Sequence, residues 1–260
     1  MKRRIELAAH RGNVENAPEN TMPAFIDAYG IDVDMIELDL RMTKDKEIVV
    51  IHDPTVDRTS DGTGMVSEMT LAELKRLDFG VKRGEKYRGT RIPTFREFLE
   101  LARRDKTMQF NFEFKDYIYD KGEEFAKESA DRTIALFEEY GIGADRLYIN
   151  SFEGDLLLYI NEKCGGKYRL HGYHPYSILG NNNDKARKIL YCACLFYTKE
   201  DPISPKETYD EVISEGIHPW VGAGAVTEEQ ILRGVENGGE LFTSNHPTFV
   251  SEVLKKHGYR

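Results

Sequence analysis

Two histidines, three carboxylates and two cations of this chain stand at spacings that chemistry can use. Glu37 and Asp39 lie two apart in the alternating run Asp34–Leu40, so both point to the same side of a strand. Like charges held side by side in a protein interior are costly unless something cationic joins them. Glu113, in Asn111-Phe112-Glu113-Phe114-Lys115, adds another oxygen donor. Three carboxylates without a partnering cysteine suit one hard divalent cation, Mg²⁺ or Ca²⁺, better than zinc. Ion pairs with Arg11, Arg41 or Lys115 are the competing account of Glu37 and Asp39. His10 and His52 each follow a short apolar run. Two imidazoles flanking a carboxylate pair fit a general acid and a general base. Arg11 directly follows His10, and Lys115 lies two after Glu113. Such cations, with a metal, suit a phosphodiester anion whose charge grows in the transition state. Neutralising the carboxylates is their other available role, compatible with the first. Asp53 either orients an imidazole or makes a plain turn before Pro54.

These side chains need strands to carry them. Ile5–Ala9, Asp34–Leu40 and Glu47–Ile51 read as strands, with a helix opened by Thr21 and Pro23 after the first. Polar residues gather at the strand C-terminal ends, and His10 and His52 are expected to close two strands opening on one face. Residues 54–92 break the rhythm with turn chemistry and charge, and Thr70-Leu71-Ala72-Glu73 is a capping box. This reads as an excursion over the site, short of apolar residues for a core of its own. Beyond it the alternation resumes. A second capping box lies at Thr94-Phe95-Arg96-Glu97 and a third at Ser204-Pro205-Lys206-Glu207; Thr227 caps a further helix. Strands are expected at 108–114, 147–151, 167–170, 217–221 and 240–243. The stretch 184–197 reads either as a helix or as a helix followed by a strand. About eight strand–helix units in 260 residues predict an α/β fold, a TIM (β/α)8 barrel forming a single domain over 1–260, with a small insertion after the third strand at about 54–92.

Composition narrows the partners. With a net charge of −9, the chain repels phosphate polymers and anionic membranes, so no nucleic-acid partner is expected. A small phosphorylated substrate held by local cations is still compatible. No run approaches the roughly 20 apolar residues of a membrane helix, and the basic start is not followed by an apolar leader; a soluble cytoplasmic protein is expected. Cys164, Cys192 and Cys194 lack framework spacing and read as reduced, structural thiols.

The same residues bring a family into view. The sequence resembles the glycerophosphodiester phosphodiesterases in His10-Arg11-Gly12, Pro18-Glu19-Asn20-Thr21, Ile36-Glu37-Leu38-Asp39, Val50-Ile51-His52-Asp53 with Arg58-Thr59, Ile92-Pro93-Thr94, Asn111-Phe112-Glu113-Phe114-Lys115 and Ser151-Phe152. The resemblance runs through the first 152 residues. It implies a cation held by Glu37, Asp39 and Glu113, an acid–base pair in His10 and His52, and phosphate contacts from Arg11 and Lys115. The implied reaction cleaves a small glycerophosphodiester to glycerol 3-phosphate and an alcohol. Water or a substrate hydroxyl would be the nucleophile, and the roles of the two histidines stay unassigned.

The last third departs from that pattern. Trp220-Val221-Gly222-Ala223-Gly224 stands where the family usually has a Trp-Thr-Val-Asn-like strand end, and Thr243-Ser244-Asn245-His246-Pro247 where it usually has Thr-Asp-Tyr-Pro. The substrate pocket is expected to depart with it, and Trp220, His171 and Phe152 are its candidates. Trp220 as plain core is the alternative, and His171, His174 and His246 are candidates for altered specificity. Two other activities compete: a lysophospholipase D-like or sphingomyelinase D-like phosphodiesterase, and a catalytically silent ligand-binding barrel.

Overall fold

The computed structural model describes residues 2–260. Nine strands form one sheet: β1 (Glu6–Ala9), β2 (Met35–Met42), β3 (Ile48–Val50), β4 (Gln109–Phe114), β5 (Leu147–Asn150), β6 (Arg169–His174), β7 (Cys192–Leu195), β8 (His218–Val221) and β9 (Leu241–Ser244). All but β3 run parallel and close into a barrel through the β1–β2 and β1–β9 pairings. The helices are α1 (Met22–Ala28), α2 (Leu71–Leu74), α3 (Phe95–Ala102), α4 (Ile118–Lys121), α5 (Glu123–Glu139), α6 (Gly154–Lys163), α7 (Asn183–Ala186), α8 (Lys206–Ser214), α9 (Glu228–Asn237) and α10 (Pro247–Lys256). The expected TIM barrel is present.

Why these residues make this barrel is visible in the packing between β4 and its covering helices. Phe110 and Phe112 turn outward from β4 and meet Phe95 and Phe98 of α3 at ring separations of 5.0–5.8 Å, edge to face. Their neighbours Asn111 and Glu113 point into the barrel. Period-two alternation thus divides β4 into an aromatic outer face and a polar inner one. Thr70, Thr94 and Thr227 form full capping boxes.

Four expectations need correcting. First, β3 is not a barrel strand. It runs antiparallel along β2, with Leu40 opposite Val50 and Met42 opposite Ile48. The connection Thr43–Glu47 is a hairpin turn, far shorter than the dozen or so residues a parallel crossover needs. Second, the excursion has a core: Val56, Val66, Leu74, Phe79 and Ile92 bury themselves with Val49 and Ile51 in a cluster separate from the main one. Third, Ser204 does not cap. The helix starts at Lys206 with Pro205 before it, and the Ser204 hydroxyl is buried without a hydrogen-bond partner. Fourth, Thr21 precedes α1 but turns its hydroxyl to the Pro18 carbonyl instead of to the helix. The ambiguous stretch 184–197 resolves as the short α7, a 3₁₀ turn, and then β7.

No helix among the described residues is long and apolar enough to cross a membrane.

Candidate active site

The acids come together through strand register. Asp39 of β2 lies directly opposite Glu113 of β4, and Glu37 opposite Asn111. Glu37, Asp39 and Glu113 are all buried, and one oxygen from each lies within 4.8 Å of the others. Their surroundings leave work undone. Glu37 Oε1 and Asp39 Oδ1 are buried without a hydrogen-bond donor. Burial and the two neighbouring acids hold the Glu37 carboxyl well above the usual range, and burial also raises Glu113. Burial works against ionised Asp39 as well, but Lys115 and Arg11 override it and lower its pKa. Clustered anionic oxygens with unfilled acceptor sites fit a hard cation.

The cations stand at the edge of this cluster. Lys115 Nζ contacts Glu113 Oε1 and lies 3.5 Å from Asp39 Oδ1. Arg11 Nε is 3.4 Å from Asp39 Oδ2, and Arg11 Nη1 donates to Glu19 Oε1 at 2.9 Å. The ion-pair account of Glu37 and Asp39 is therefore satisfied in part, by Arg11 and Lys115. Arg41 turns instead to the His52 carbonyl, the Lys115 carbonyl and Asp116.

The histidines arrive from opposite directions. His10 follows β1 upward out of the barrel. His52 is brought down by the antiparallel β3, whose extension places the Ile51 N–H on the Asp39 carbonyl at 3.0 Å. His52 Nδ1 is 2.6 Å from Asp53 Oδ1. Arg58 grips Asp53 through Nε at 2.6 Å and reaches Glu19 at 2.7 Å through both terminal nitrogens. Asp53 thus orients the imidazole. His10 Nδ1 is 2.6 Å from Asn245 Oδ1, which makes Nδ1 the protonated nitrogen and leaves the Nε2 lone pair free, 3.8 Å from Glu37 Oε2. Burial pushes His10 down to about 4 and lowers His52 too.

One cavity of about 270 Å³ is lined by His10, Arg11, Glu37, His52, Glu113 and Lys115. It also touches Phe152 and His171, two of the pocket candidates. Trp220 lies one layer deeper. It is fully buried in the middle of β8, its ring lies flat on His171 at 4.2 Å, and its Nε1 donates to Thr243. His174 and His246 do not line the cavity: His174 packs edge-on against Tyr176, and His246 sits 3.5 Å from Glu15.

Several contributors escaped the sequence reading. Asn20 Nδ2 donates to Asp39 Oδ2 at 2.7 Å, Tyr117 Oη lies 3.4 Å from Glu113, and Asn111 Nδ2 meets His171 Nδ1 at 3.0 Å. Asn20 and Asn111 stood inside quoted motifs, which was the available signal. Asn245 sits in the segment that departs from the family pattern, and nothing marked it as a partner of His10.

A barrel mouth gathers three buried acids, whose oxygens could hold a metal ion, beside two imidazoles and two cations, and this defines a TIM-barrel protein with a charged site at one end of its strands. The sequence profile of the glycerophosphoryl diester phosphodiesterase family matches residues 10–188, and the chain belongs to that family. It is 47% identical over 148 residues to a glycerophosphodiester phosphodiesterase of Caldanaerobacter subterraneus subsp. tengcongensis, covering 56% of this chain and 57% of that relative, so the match spans a little over half the relative's length. The Bacillus subtilis protein YqiK is 28% identical over 255 residues, 96% of this chain and 90% of its own. Among solved structures, an Oleispira antarctica phosphodiesterase in complex with the product sn-glycerol-3-phosphate superposes with a TM-score of 0.80 at 21% identity, covering 96% of each chain. A Thermotoga maritima glycerophosphodiester phosphodiesterase gives 0.70 at 20%, covering 97% of this chain and all of that one. At those identities the likeness is one of fold.

Proposed function

We propose that this protein hydrolyses glycerophosphodiesters to glycerol 3-phosphate and an alcohol, with one divalent cation, Mg²⁺ or Ca²⁺, held by Glu37, Asp39 and Glu113. The observation that carries the reading is the acid cluster: Glu37, Asp39 and Glu113 each bring an oxygen within 4.8 Å of the others, Glu37 Oε1 and Asp39 Oδ1 lack a hydrogen-bond partner, and two cations stand beside them. A cation bound there supplies Lewis-acid polarisation of a phosphoryl oxygen and part of the charge neutralisation. Arg11 and Lys115 hold the remaining phosphate oxygens and counter the charge that grows on them. His10, with Nε2 free and a neutral amide on Nδ1, accepts the proton of the nucleophile: water, or a substrate hydroxyl whose cyclic phosphate product is then opened by water to glycerol 3-phosphate. His52, whose Nδ1 faces the Asp53 carboxylate, carries a proton more readily and gives it to the departing alcohol oxygen as the P–O bond breaks. Proton exchange with water resets the pair. Phe152 and His171 form part of the wall against which the substrate lies, with Trp220 supporting His171 from below. Residues 1–260 work as one domain in this reading, insertion included, because Asp53 and the Arg58 that grips it lie at its start.

The test is a hydrolysis screen with glycerophosphocholine, glycerophosphoethanolamine, glycerophosphoglycerol, glycerophosphoinositol and lysolipids, with added cation and with excess chelator. Release of glycerol 3-phosphate only with cation is the expected result. Full turnover in chelator would sink the cation assignment, and turnover confined to lysolipids would replace the substrate class. Inactivity on every diester would leave a silent binding barrel.

A further inference from the structure

Phe152, Tyr173 and Phe196 stack nearly parallel across the mouth. The ring centroids lie 3.7 Å apart for Phe152 and Tyr173 and 5.3 Å for Tyr173 and Phe196, with interplanar angles of 17° and 10°. The first ring faces the Lys115 ammonium at 5.2 Å; the last is 40% exposed. Phe196, Gly222 and Gly224 line the catalytic cavity and also border a second one, of about 370 Å³. The two cavities therefore adjoin along this edge. A Cβ on Gly222 would come within 3.1 Å of Cys194 Sγ and 3.3 Å of the Phe196 ring, and one on Gly224 within 2.8 Å of Pro202. The glycines of the atypical strand end let the loop settle onto Phe196 and Pro202 and so shape the boundary. Lys199 lines the second cavity. Its neighbour Asp201 is bonded to Arg233, and Lys199 forms no ion pair among the described residues.

We infer that the second cavity receives the leaving alcohol of the diester, and that Lys199 selects alcohols carrying a negative charge. The inference rests on the phosphodiesterase reading. The rings turn their inner faces to one another, Lys115 faces Phe152, and Lys199 shares the second cavity with the exposed Phe196, so a quaternary ammonium entering that cavity meets a like charge. An anionic group on the alcohol meets the opposite field. Leu195, Tyr197 and Pro202 give its carbon skeleton apolar contact.

The experiment compares kcat/KM for glycerophosphocholine, glycerophosphoglycerol and bis(glycerophospho)glycerol, whose leaving alcohols are cationic, neutral and anionic. Wild type, Lys199→Glu and Lys199→Arg are assayed with cation present. Wild type is expected to favour the anionic alcohol. Reversing the charge lowers kcat/KM for it roughly tenfold, mainly through KM, and Lys199→Arg retains the preference. Glycerophosphoglycerol should change by no more than about twofold in either variant. Equal use of the three diesters by wild type, or a preference untouched by Lys199→Glu, overturns the inference while continued glycerophosphoglycerol hydrolysis upholds the activity. Hydrolysis of none of them overturns both.

Discussion

The backbone N–H of Arg11 donates to Glu37 Oε2 over 2.8 Å, and it does so from a left-handed backbone with φ of 56°. That conformation faces the amide toward one acid while the side chain of the same residue lies beside another, Asp39. Glu37 keeps its second oxygen free as a result. Side chains branched at Cβ tolerate left-handed backbone poorly. Arg11→Val is expected to lose about 1–3 kcal/mol of stability in denaturant titration, whereas Arg11→Gly keeps the turn. Arg11→Gly should retain cation affinity and lose diester turnover. Equal stability of the two variants would remove the strain argument.

Glu37→Gln separates binding from folding. Burial beside two other acids makes an ionised Glu37 unfavourable without a cation. In chelator the variant should melt higher than wild type. Added Mg²⁺ or Ca²⁺ should raise the wild-type melting temperature and leave that of the variant nearly unchanged. A full cation-induced rise in the variant would contradict the ligand role.

His10→Ala and His52→Ala should each reduce kcat by about 10²–10⁴-fold with the cation site intact. Asp53→Asn should fall between them and wild type, since it leaves an acceptor for the ring but removes the charge that favours a protonated His52. A loss below about fivefold for either histidine would take it out of the acid–base pair.

Acid sensitivity follows from His171. Burial lowers its pKa from 6.5 to about 3, so between those values the unfolded chain binds a proton that the folded chain refuses. Stability therefore rises with pH across that window and is lost as pH falls below 6.5, with a slope approaching about 1.4 kcal/mol per pH unit from this group alone. Glu37 and Glu113, whose pKa values are raised, act with the opposite slope. The measurement is the difference between wild type and His171→Leu, which should flatten the acid limb. Parallel limbs would show that His171 is not buried neutral.

The barrel and the acid cluster were legible because alternation fixes direction: Glu37 and Asp39 must face one way, and Glu113 belongs to the inner face of the next barrel strand. The reversal of β3 was also written in the chain, in the shortness of Thr43–Glu47, but the apolar run Ile48–Ile51 looks the same in either direction. The excursion's core was hidden because Val56, Val66, Leu74, Phe79 and Ile92 are scattered along a polar stretch and meet only after folding. Trp220 was ambiguous because an aromatic near a strand end suits a pocket as well as a core; its place in mid-strand decides it. Asn20 and Asn245 carry no charge, so only their positions reveal that each serves a neighbour in the site.

The hairpin strand β3 has one more consequence. His52 follows Ile51, which belongs to the small apolar cluster, while Ile48 and Val50 of the same run pack in the main cluster that supports His10 and the acids. In the proposed mechanism one of the two acid–base groups thus adjoins a different apolar cluster from the cation ligands. If His52 works as proposed, opening of the smaller cluster would displace it while the barrel stays closed. Hydrogen exchange should register this as faster amide exchange over 54–92 than over β2 and β4.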